Sequence, residues 1–321
     1  MHEVMVDKSQ DDPTLLAAWM YYNENLTQEQ IAQKLNVSRV TVTRLLQKAK
    51  REGIVEVRVT RRLSPQRHLV RKLQDTFGID EAVVAPTYDS QDNTLDAVGM
   101  AAAEYLEQIM FPGCRLGVTG WSTVVARMVP YIRDSVRAKP SVVNELLGSV
   151  YGAGRQYNVS ARLAQILGAP IETVPSPILV QSDTVLAALM EEPAISTALK
   201  HARQCDIALV GLGQPTVDWT MVSVGHITPN QVNYLRRMGV IGDILLRFYD
   251  DHGQPVHTDL DDRIVSISWD DIRRIPNILA LVSGPSKVEP IIGALRGHLI
   301  HCLITDTETA EQVLRYEGVE P

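Results

Sequence analysis

Residues 27–52 read TQEQIAQKLNVSRVTVTRLLQKAKRE, a stretch with the spacing of two short helices joined by a tight turn. Thr27, followed three residues later by Gln30, forms a capping-box pattern that predicts the start of a helix. Ile31 and Leu35 are four residues apart and therefore share one face of that helix. The first helix is thus predicted to pack through this apolar face.

The second helix of this stretch is predicted to run from 39 to 52. Asn36 tolerates the left-handed conformation that ends a helix, and Ser38 can cap the next one. The apolar residues at helical spacing are Val42, Leu45, Leu46 and Ala49. The other face is polar and basic. A tight turn followed by a capped, polar helix is the order of a helix-turn-helix, whose second helix enters the DNA major groove.

Charge is unevenly distributed along the chain. The formal net charge is −7, yet residues 34–72 hold twelve Lys or Arg against two acids, a local charge of +10. A basic block in an acidic chain indicates a polyanion-binding module, although a helical hairpin with a solvated basic face is the alternative. The agreement of spacing, caps and charge favours double-stranded DNA as the partner.

The candidate DNA-binding residues divide by the chemistry of their side chains. Arg can bond bidentately to guanine and Gln to adenine, so the start of the second helix is expected to meet base edges. The candidates for base contacts are Ser38, Arg39, Thr43, Arg44 and Gln47, with Thr41 on the same polar face. The candidates for phosphate contacts are Thr27, Gln28, Lys48 and Arg51.

Length and composition limit the class of protein. A chain of 321 residues with 45% hydrophobic and 21% charged residues fits a globular protein of about two domains. Cys114, Cys205 and Cys302 lack C-x-x-C spacing, which disfavours a disulfide framework or a structural zinc site. Neither an apolar run of spanning length nor a signal-peptide pattern is present, so a cytoplasmic protein is expected, with no membrane partner.

The segments around the helix-turn-helix predict three further elements. Residues 14–22 are apolar on every side and are expected to form a buried support helix. Residues 53–59 alternate as a short strand or wing. Residues 66–77 form a helix that could link two domains and dimerise through Leu69, Val70 and Leu73. The expected domains are 1–62 for DNA binding, 63–80 as a linker helix, and 81–321 for effector binding and oligomerisation.

Strand and helix patterns alternate through the rest of the chain. Strands are expected at 82–86, 115–119, 142–147, 171–174, 206–213, 278–283 and 302–305. Helices are expected at 95–110, 122–132, 159–167, 288–296 and 308–316, with one long helix within 182–204. This alternation predicts an α/β domain, a parallel sheet with helices on both faces. Residues 243–256 instead predict an antiparallel hairpin with its turn at 250–253.

Candidate ligand residues lie at the predicted strand ends, where parallel sheets bind ligands. After the strand 115–119, the backbone at the start of the next helix and the Ser122 and Thr123 hydroxyls suit a phosphate, although a plain Gly turn is as common. A second glycine-rich turn spans 148–155, and 283–287 supplies Lys287. Asp243 can accept hydrogen bonds from sugar hydroxyls, or it is an ordinary turn aspartate. The histidines show no metal-ligand spacing, and no cofactor or nucleophile motif is present.

The order of these parts resembles the SorC family of bacterial sugar-sensing regulators, also called DeoR-like sugar-binding regulators, over residues 14–316. The matching stretches are 19–35, 38–46, 53–57, 116–123, 175–177, 210–213, 239–244, 295–297 and 303–306. The resemblance implies a C-terminal α/β domain similar to sugar-phosphate isomerases, without catalysis, that senses a phosphorylated sugar or a polyol. It also implies a tetramer.

By this resemblance, the turn 120–123 and Lys287 would hold phosphate and Asp243 would contact the sugar. One departure is Leu147-Gly148-Ser149, where the family often has Gly-Gly. The effector-site candidates are Gly120, Trp121, Ser122, Thr123, Gly148, Ser149, Asp243 and Lys287.

Three functions are compatible with these patterns. The leading one is a regulator of a carbohydrate or polyol operon, without enzymatic activity, controlled by a sugar, polyol or sugar-phosphate effector. The alternative is a sugar-phosphate isomerase or deaminase-like enzyme fused to a DNA-binding module. An enzyme would need a base near the sugar carbons, and Asp243 is the one candidate, with no acid paired to it by spacing. A structural DNA-binding protein is disfavoured by the large α/β domain.

Overall fold

The computed structural model describes residues 12–55, 66–133, 138–149 and 158–321. The chain divides into two units between Ser64 and Pro65. Within the described ranges, no helix is both long enough and apolar enough to span a bilayer.

The first unit consists, in its described part, of three helices: α1 (Pro13–Tyr22), α2 (Gln28–Leu35) and α3 (Arg39–Arg51). The predicted capping box is present, because the Gln30 amide donates to Thr27 Oγ1 (3.3 Å) and the Thr27 amide donates to Gln30 Oε1 (2.9 Å). Asn36 ends α2 with φ = 52°, in the left-handed region. The predicted helix, turn and helix are therefore confirmed.

The core of this unit lies between the three helices. Its buried residues are Ala17, Ile31, Ala32, Val42 and Leu46. The expectation that α1 is buried on every side is wrong, because Trp19 is 57% exposed and Leu15 is 38% exposed. Two neighbouring helices cover one face of α1, and its buried residues are Thr14, Ala17 and Ala18. Most of the predicted wing, from 56 onward, lies outside the described residues.

The second unit begins its described part with α4 (Arg67–Phe77), which ends at Gly78 in the left-handed conformation (φ = 65°). Leu69 and Leu73 are fully buried in the core of this unit. Leu69 and Leu73 are therefore not available to pair with a second chain, as the sequence had suggested, and the role of this helix as a linker stays a prediction. The same apolar face that could have paired with a second chain is covered within the unit, where α4 packs on the first strand and the last helix.

Seven parallel strands form the main sheet, as the alternating pattern predicts. They are β1 (Glu81–Ala85), β2 (Arg115–Val118), β3 (Val142–Glu145), β4 (Ile171–Glu172), β5 (Ile207–Val210), β9 (Asn277–Leu281) and β10 (Cys302–Asp306). Their spatial order is β1-β10-β9-β5-β2-β3-β4, with every pairing parallel.

Helices cover both faces of this sheet. The helices that follow α4 in the described residues are α5 (Gln91–Ile109), α6 (Thr123–Met128), α7 (Val159–Leu167), α8 (Asp183–Glu191), α9 (Pro193–Ala202), α10 (Thr220–Ser223), α11 (Pro229–Arg237), α12 (Trp269–Ile272), α13 (Val288–Arg296) and α14 (Thr307–Tyr316). Alternate residues of one strand enter opposite cores: Ala208 and Val210 face one cluster, and Ile207 and Leu209 face the other. This burial on both sides explains the continuous apolar strands.

The long helix expected within 182–204 is instead two helices, α8 and α9. Pro193 is the first residue of α9, and Glu192 before it is extended (φ = −67°, ψ = 122°). Proline has no N–H to continue a helix and disfavours the helical conformation of the preceding residue. The break therefore follows directly from this proline.

The expected hairpin belongs to a small antiparallel sheet made of β6 (Leu212–Gly213), β7 (Gly242–Ile244) and β8 (Arg247–Tyr249). The turn expected at 250–253 is present. The residues on its two sides, Tyr249 and Pro255, are joined by a single antiparallel bridge instead of a longer strand pair. The tighter turn between β7 and β8 is formed by Leu245 and Leu246, both at positive φ. The strand predicted at 206–213 is also divided, with Gly211 separating β5 from β6.

Candidate functional site

A cavity lies where the order of the main sheet reverses. From β2 the chain proceeds outward to β3 and β4, whereas from β5 it proceeds the other way to β9 and β10. The adjacent carboxyl ends of β2 and β5 thus form the topological switch point, where open α/β sheets bind ligands. The cavity there has a volume of about 120 Å³.

The loop between β2 and α6 forms one wall of this cavity. The Thr119 amide donates to Leu209 O (3.0 Å), which ties the start of the loop to β5. Ser122 caps α6 by accepting from the Val125 amide (3.4 Å), and its Oγ faces Gly211. A Cβ at position 211 would lie 2.7 Å from Ser122 Oγ, so the glycine leaves room for this hydroxyl.

Asp243, in β7, forms the acidic part of the lining. It is 2% exposed, and its Oδ2 accepts from the Leu246 amide (3.0 Å). Its Oδ1 is buried and has no hydrogen-bond partner among the described residues. Burial raises the pKa of Asp243 to about 6, and the Leu246 amide and the Lys287 charge partly oppose this rise. A carboxylate oxygen without a partner in a cavity is a strong acceptor for a ligand.

Lys287 forms the basic part of the lining. Its Nζ donates to Leu212 O (3.1 Å), and burial lowers its pKa while Asp243 opposes that shift. The residue ends a short 3₁₀ turn after β9, entered through Gly284 at φ = 111°. Only glycine readily adopts that backbone conformation.

The turn that carries Lys287 is held in place by Asp306, at the end of β10. Ser283 Oγ donates to Asp306 Oδ2 (2.7 Å), and the Gly284 amide donates to Thr309 Oγ1 (2.9 Å). Thr309 in turn donates to Asp306 through both its amide (3.0 Å) and its hydroxyl (2.6 Å). Asp306 therefore connects the cavity wall to the first turn of α14.

Two tryptophans also line the cavity, and the Nε1 atoms of Trp121 and Trp219 are both buried without a partner among the described residues. Sequence reasoning identified Trp121 but missed Trp219, and it also missed Gly211 and Gly213. The glycines that end β5 and β6 were a usable signal, since 210–213 was already a matching family stretch. Trp219 had no such signal, because only the folded chain brings it to the strand ends.

The eight predicted effector-site residues fall into two adjacent sites. Trp121, Ser122, Thr123, Asp243 and Lys287 line the switch-point cavity. Gly120, Gly148 and Ser149 instead line a neighbouring cleft of about 330 Å³, and Trp121 borders both.

The neighbouring cleft contains Glu145, at the end of β3. Its Oε1 accepts from Ser160 Oγ (2.6 Å), and its Oε2 accepts from the Val174 amide (3.3 Å). This carboxylate is therefore fixed in position. The remainder of the glycine-rich turn predicted here, residues 150–155, lies outside the described residues.

In the first unit, the predicted DNA-binding residues lie away from the core. Val42, Leu46 and Ala49 are buried on one side of α3, whereas Arg44 and Gln47 are exposed on the other. The exposed or half-buried candidates are Thr27, Gln28, Ser38, Arg39, Thr41, Thr43, Arg44, Gln47, Lys48 and Arg51. The sequence reasoning omitted Val40, which is 62% exposed.

Several of these side chains already have partners within the unit. Ser38 accepts from the Thr41 amide (3.1 Å), and their hydroxyls are 2.9 Å apart. Thr43 Oγ1 donates to Gln28 Oε1 (3.0 Å), which joins α3 to the start of α2. Lys48 pairs with Glu52 at 3.9 Å. Part of the polar face that is predicted to bind DNA is thus engaged in helix capping and in contacts within the unit.

A basic helix-turn-helix, together with a parallel-sheet domain that holds a polar cavity at its switch point, defines a ligand-responsive transcriptional regulator. Residues 61–315 match a family described as "Putative sugar-binding domain", and residues 14–67 match the Crp-like helix-turn-helix domain. The chain belongs to the SorC family of sugar-binding transcriptional regulators. The relatives of the chain are named as transcriptional regulators, and the chain is one as well.

Relatives and a solved structure resemble the chain over nearly its whole length. The sorbitol operon regulator of Klebsiella pneumoniae is 28% identical over 315 residues, which cover 96% of this chain and 100% of that protein. The deoxyribonucleoside regulator of Bacillus subtilis is 28% identical, covering 96% and 99%. The crystal structure of full-length SorC from Klebsiella pneumoniae matches with a TM-score of 0.77 at 27% identity, covering 96% and 99%.

Proposed function

We propose that this regulator senses a carbohydrate, a polyol or a sugar phosphate in the switch-point cavity and binds operator DNA through α2 and α3. The observation that carries the proposal is that Asp243 and Lys287 line the same cavity and that Asp243 Oδ1 has no hydrogen-bond partner among the described residues. An acceptor for hydroxyls and a cation for an anionic group are the two chemistries that a phosphorylated sugar requires.

Different parts of the effector are proposed to meet different residues of the cavity. Lys287 and the hydroxyls of Ser122 and Thr123 suit a phosphate, and Asp243 suits a sugar hydroxyl. An effector longer than this cavity extends past Trp121 into the neighbouring cleft, where the Glu145 carboxylate suits further hydroxyls. Gly148 and Ser149 line this second part of the proposed site.

DNA recognition is assigned to the exposed face of α3. Arg39, Arg44 and Gln47 are proposed to read base edges in the major groove, and Lys48 and Arg51 to hold phosphates. Ser38, Thr41 and Thr43, with Thr27 and Gln28 from the start of α2, are proposed to support the same contacts.

The proposed assembly is a cytoplasmic homotetramer that binds paired half-sites. Its support is the family resemblance, together with the two-fold symmetry that helix-turn-helix operators mirror. Effector binding would then change operator affinity, a coupling of about 1–3 kcal/mol in typical allosteric proteins. Size-exclusion chromatography with light scattering tests the tetramer.

The decisive experiment measures operator affinity with and without candidate effectors. An operator is selected from a random DNA library with the purified protein, and its affinity is followed by fluorescence anisotropy. The candidates are sorbitol, erythritol, a deoxyribonucleoside and the phosphates of these compounds. Sorbitol and deoxyribonucleosides come from the names of the relatives given above, and erythritol from an erythritol catabolism regulatory protein of Brucella abortus that is 27% identical. At least one is expected to raise thermal stability and change operator affinity.

Lys287→Ala is the matched variant for this experiment. It should lose the effector response while operator affinity stays unchanged, because the substitution lies in the second unit. A normal response of this variant would remove Lys287 from the site. If no candidate changes stability or affinity in the wild type, the proposed effector class is wrong.

A further inference from the structure

Val40 is an exposed apolar residue near the start of α3. Its exposed fraction is 62%, whereas Val42 and Ala49 on the same helix are fully buried. Val40 and Ala49 are separated by about two and a half helical turns, so they lie on opposite sides of α3. Val40 therefore stands at the centre of the face that the core leaves uncovered.

Arg44 and Gln47 share this face of α3 with Val40. They follow it by four and seven positions, the spacing that places side chains in one row along a helix. Both are exposed, and both belong to the set proposed to read base edges. Val40 is thus the apolar member of a row that otherwise carries hydrogen-bond donors.

Neither helix propensity nor core packing accounts for a valine at this position. Valine forms helices less well than alanine, because its branched side chain loses rotamer freedom there. An exposed side chain gains little packing in return. The same restriction holds the two methyl groups of Val40 in a fixed direction, which lowers the entropy cost of a contact with a partner.

The polar side chains around Val40 are engaged within the unit. The hydroxyls of Ser38 and Thr41 are 2.9 Å apart, and the Thr41 amide donates to Ser38 Oγ. Thr43 Oγ1 donates to Gln28 Oε1 (3.0 Å). These hydroxyls therefore serve the helix start and the contact between the two helices, whereas the Val40 side chain is open to a partner.

The base edges of the major groove offer a side chain of this kind one specific apolar group. Valine has no polar side-chain atom and so cannot pair with the donors and acceptors that distinguish the other bases. Thymine alone adds a methyl group, on C5, to its major-groove edge. A contact between Val40 and that methyl group would bury apolar surface on both sides.

We propose that Val40 reads the 5-methyl group of one thymine in each operator half-site. Val40 and Arg44 are about 6 Å apart along the helix axis, and successive base pairs are about 3.4 Å apart. The thymine therefore lies within about two base pairs of the base that Arg44 reads. This inference rests on the proposed placement of α3 in the major groove, and Val40 is a specificity-determining residue within it.

Replacing thymine with uracil tests the contact directly, because it removes only the methyl group. The operator selected with the purified full-length protein is the probe, and each thymine of one half-site is replaced in turn. Fluorescence anisotropy measures the affinity. At the thymine that Val40 contacts, affinity should fall about fourfold, the effect expected of one buried methyl group.

Val40→Ala supplies the second half of a double-mutant cycle. The variant should bind the unmodified operator several-fold more weakly and should no longer distinguish thymine from uracil at that position. Val217→Ala is the matched control, because Val217 is 64% exposed and lies in the second unit. It should keep the full fourfold effect. Because Val40 is exposed, Val40→Ala should retain the circular dichroism spectrum and melting temperature of the wild type.

The outcomes separate this inference from the proposed function. If no uracil replacement weakens wild-type binding, or if the effect persists in Val40→Ala, the thymine contact is wrong. Operator recognition by α3 then still stands, provided that Arg44→Ala loses sequence preference. The uracil scan of the wild type gives its answer whether or not the variant folds. If selection from the random library enriches no sequence, the proposed operator recognition and this inference both fall.

Discussion

The backbone amide of Leu246 donates to Oδ2 of Asp243 over 3.0 Å, across a turn in which Leu245 and Leu246 have φ of 55° and 60°. Left-handed backbone disfavours leucine by roughly 1 kcal/mol or more per residue. Both leucines are buried, so packing offsets this strain. The turn thereby holds one oxygen of a carboxylate that lines the cavity, and the other oxygen has no partner among the described residues.

Asp243→Asn replaces a buried carboxylate with a neutral amide, so it is expected to remove the free-energy cost of burying a charge. The folded-state pKa of about 6 lies above the ordinary value of 3.8, so between these values the folded protein keeps a proton that the unfolded chain has released. Wild-type stability therefore falls as pH rises through this window. The stability of the variant relative to wild type should be greater at pH 7.5 than at pH 4, by on the order of 2–3 kcal/mol.

Urea unfolding at the two pH values checks this expectation, with exposed Asp218→Asn as the control. Equal stability differences at pH 4 and pH 7.5 would show that Asp243 is not a buried, destabilised charge. The same variant should lose the effector response, since it places an amide where the cavity presents a carboxylate.

Asp306→Asn should show the opposite pH dependence. Burial alone would raise the pKa of Asp306, but hydrogen bonds from Thr309, Ser283 and Thr87 lower it below 3.8. The charged form thus stabilises the fold above that value, and this stabilisation is lost as pH falls through the lowered pKa. The variant should be less stable at pH 7 by about 1–3 kcal/mol.

The same unfolding assay checks the Asp306 expectation, and the deficit should shrink as the pH falls below about 4. A deficit that grew toward low pH would contradict the assigned role of this carboxylate. Because Asp306 holds Ser283 next to the cavity, effector affinity should also fall at neutral pH.

Gly213→Ala is expected to disturb the cavity lining where Asp243 and Trp219 meet Gly213. The added Cβ would overlap Asp243 Oδ1 and approach Trp219 Nε1, so the effector response should be lost. The position has no left-handed backbone, so alanine adds no backbone strain there. Calorimetry with a candidate effector that binds the wild type and anisotropy with the selected operator make the comparison. Retained affinity for that compound would argue against binding next to Gly213.

Arg44→Ala should weaken operator binding by about 1–3 kcal/mol and relax the sequence preference, because Arg44 is proposed to read a base edge. Lys34→Ala is the control, since it removes the same charge from an α2 residue that pairs with Glu24 at 3.7 Å. Anisotropy with the selected operator and with a scrambled duplex measures both quantities. An unchanged ratio of the two affinities in Arg44→Ala would contradict the assignment.

Local patterns were sufficient to predict most elements, because caps, proline and glycine act within a few residues. Thr27 with Gln30, Ser38 and Gly78 each end or begin a helix where the pattern predicts. The errors arose where distant packing decides the outcome. The pattern allows Leu69 and Leu73 to form a dimerising side of the helix, and only the folded unit shows that they are buried where α4 packs on α14 and β1.

Local sequence patterns specify the helix-turn-helix, the alternation of strands and helices, and the position of the candidate ligand residues at strand ends. These features follow from periodicity and from turn chemistry, which are properties of neighbouring residues. Strand order, by contrast, depends on which apolar surfaces can be buried together. Only the tertiary structure therefore placed Gly120 and Gly148 in a separate cleft, brought Trp219 to Gly213, and left Asp243 Oδ1 without a partner beside Gly213.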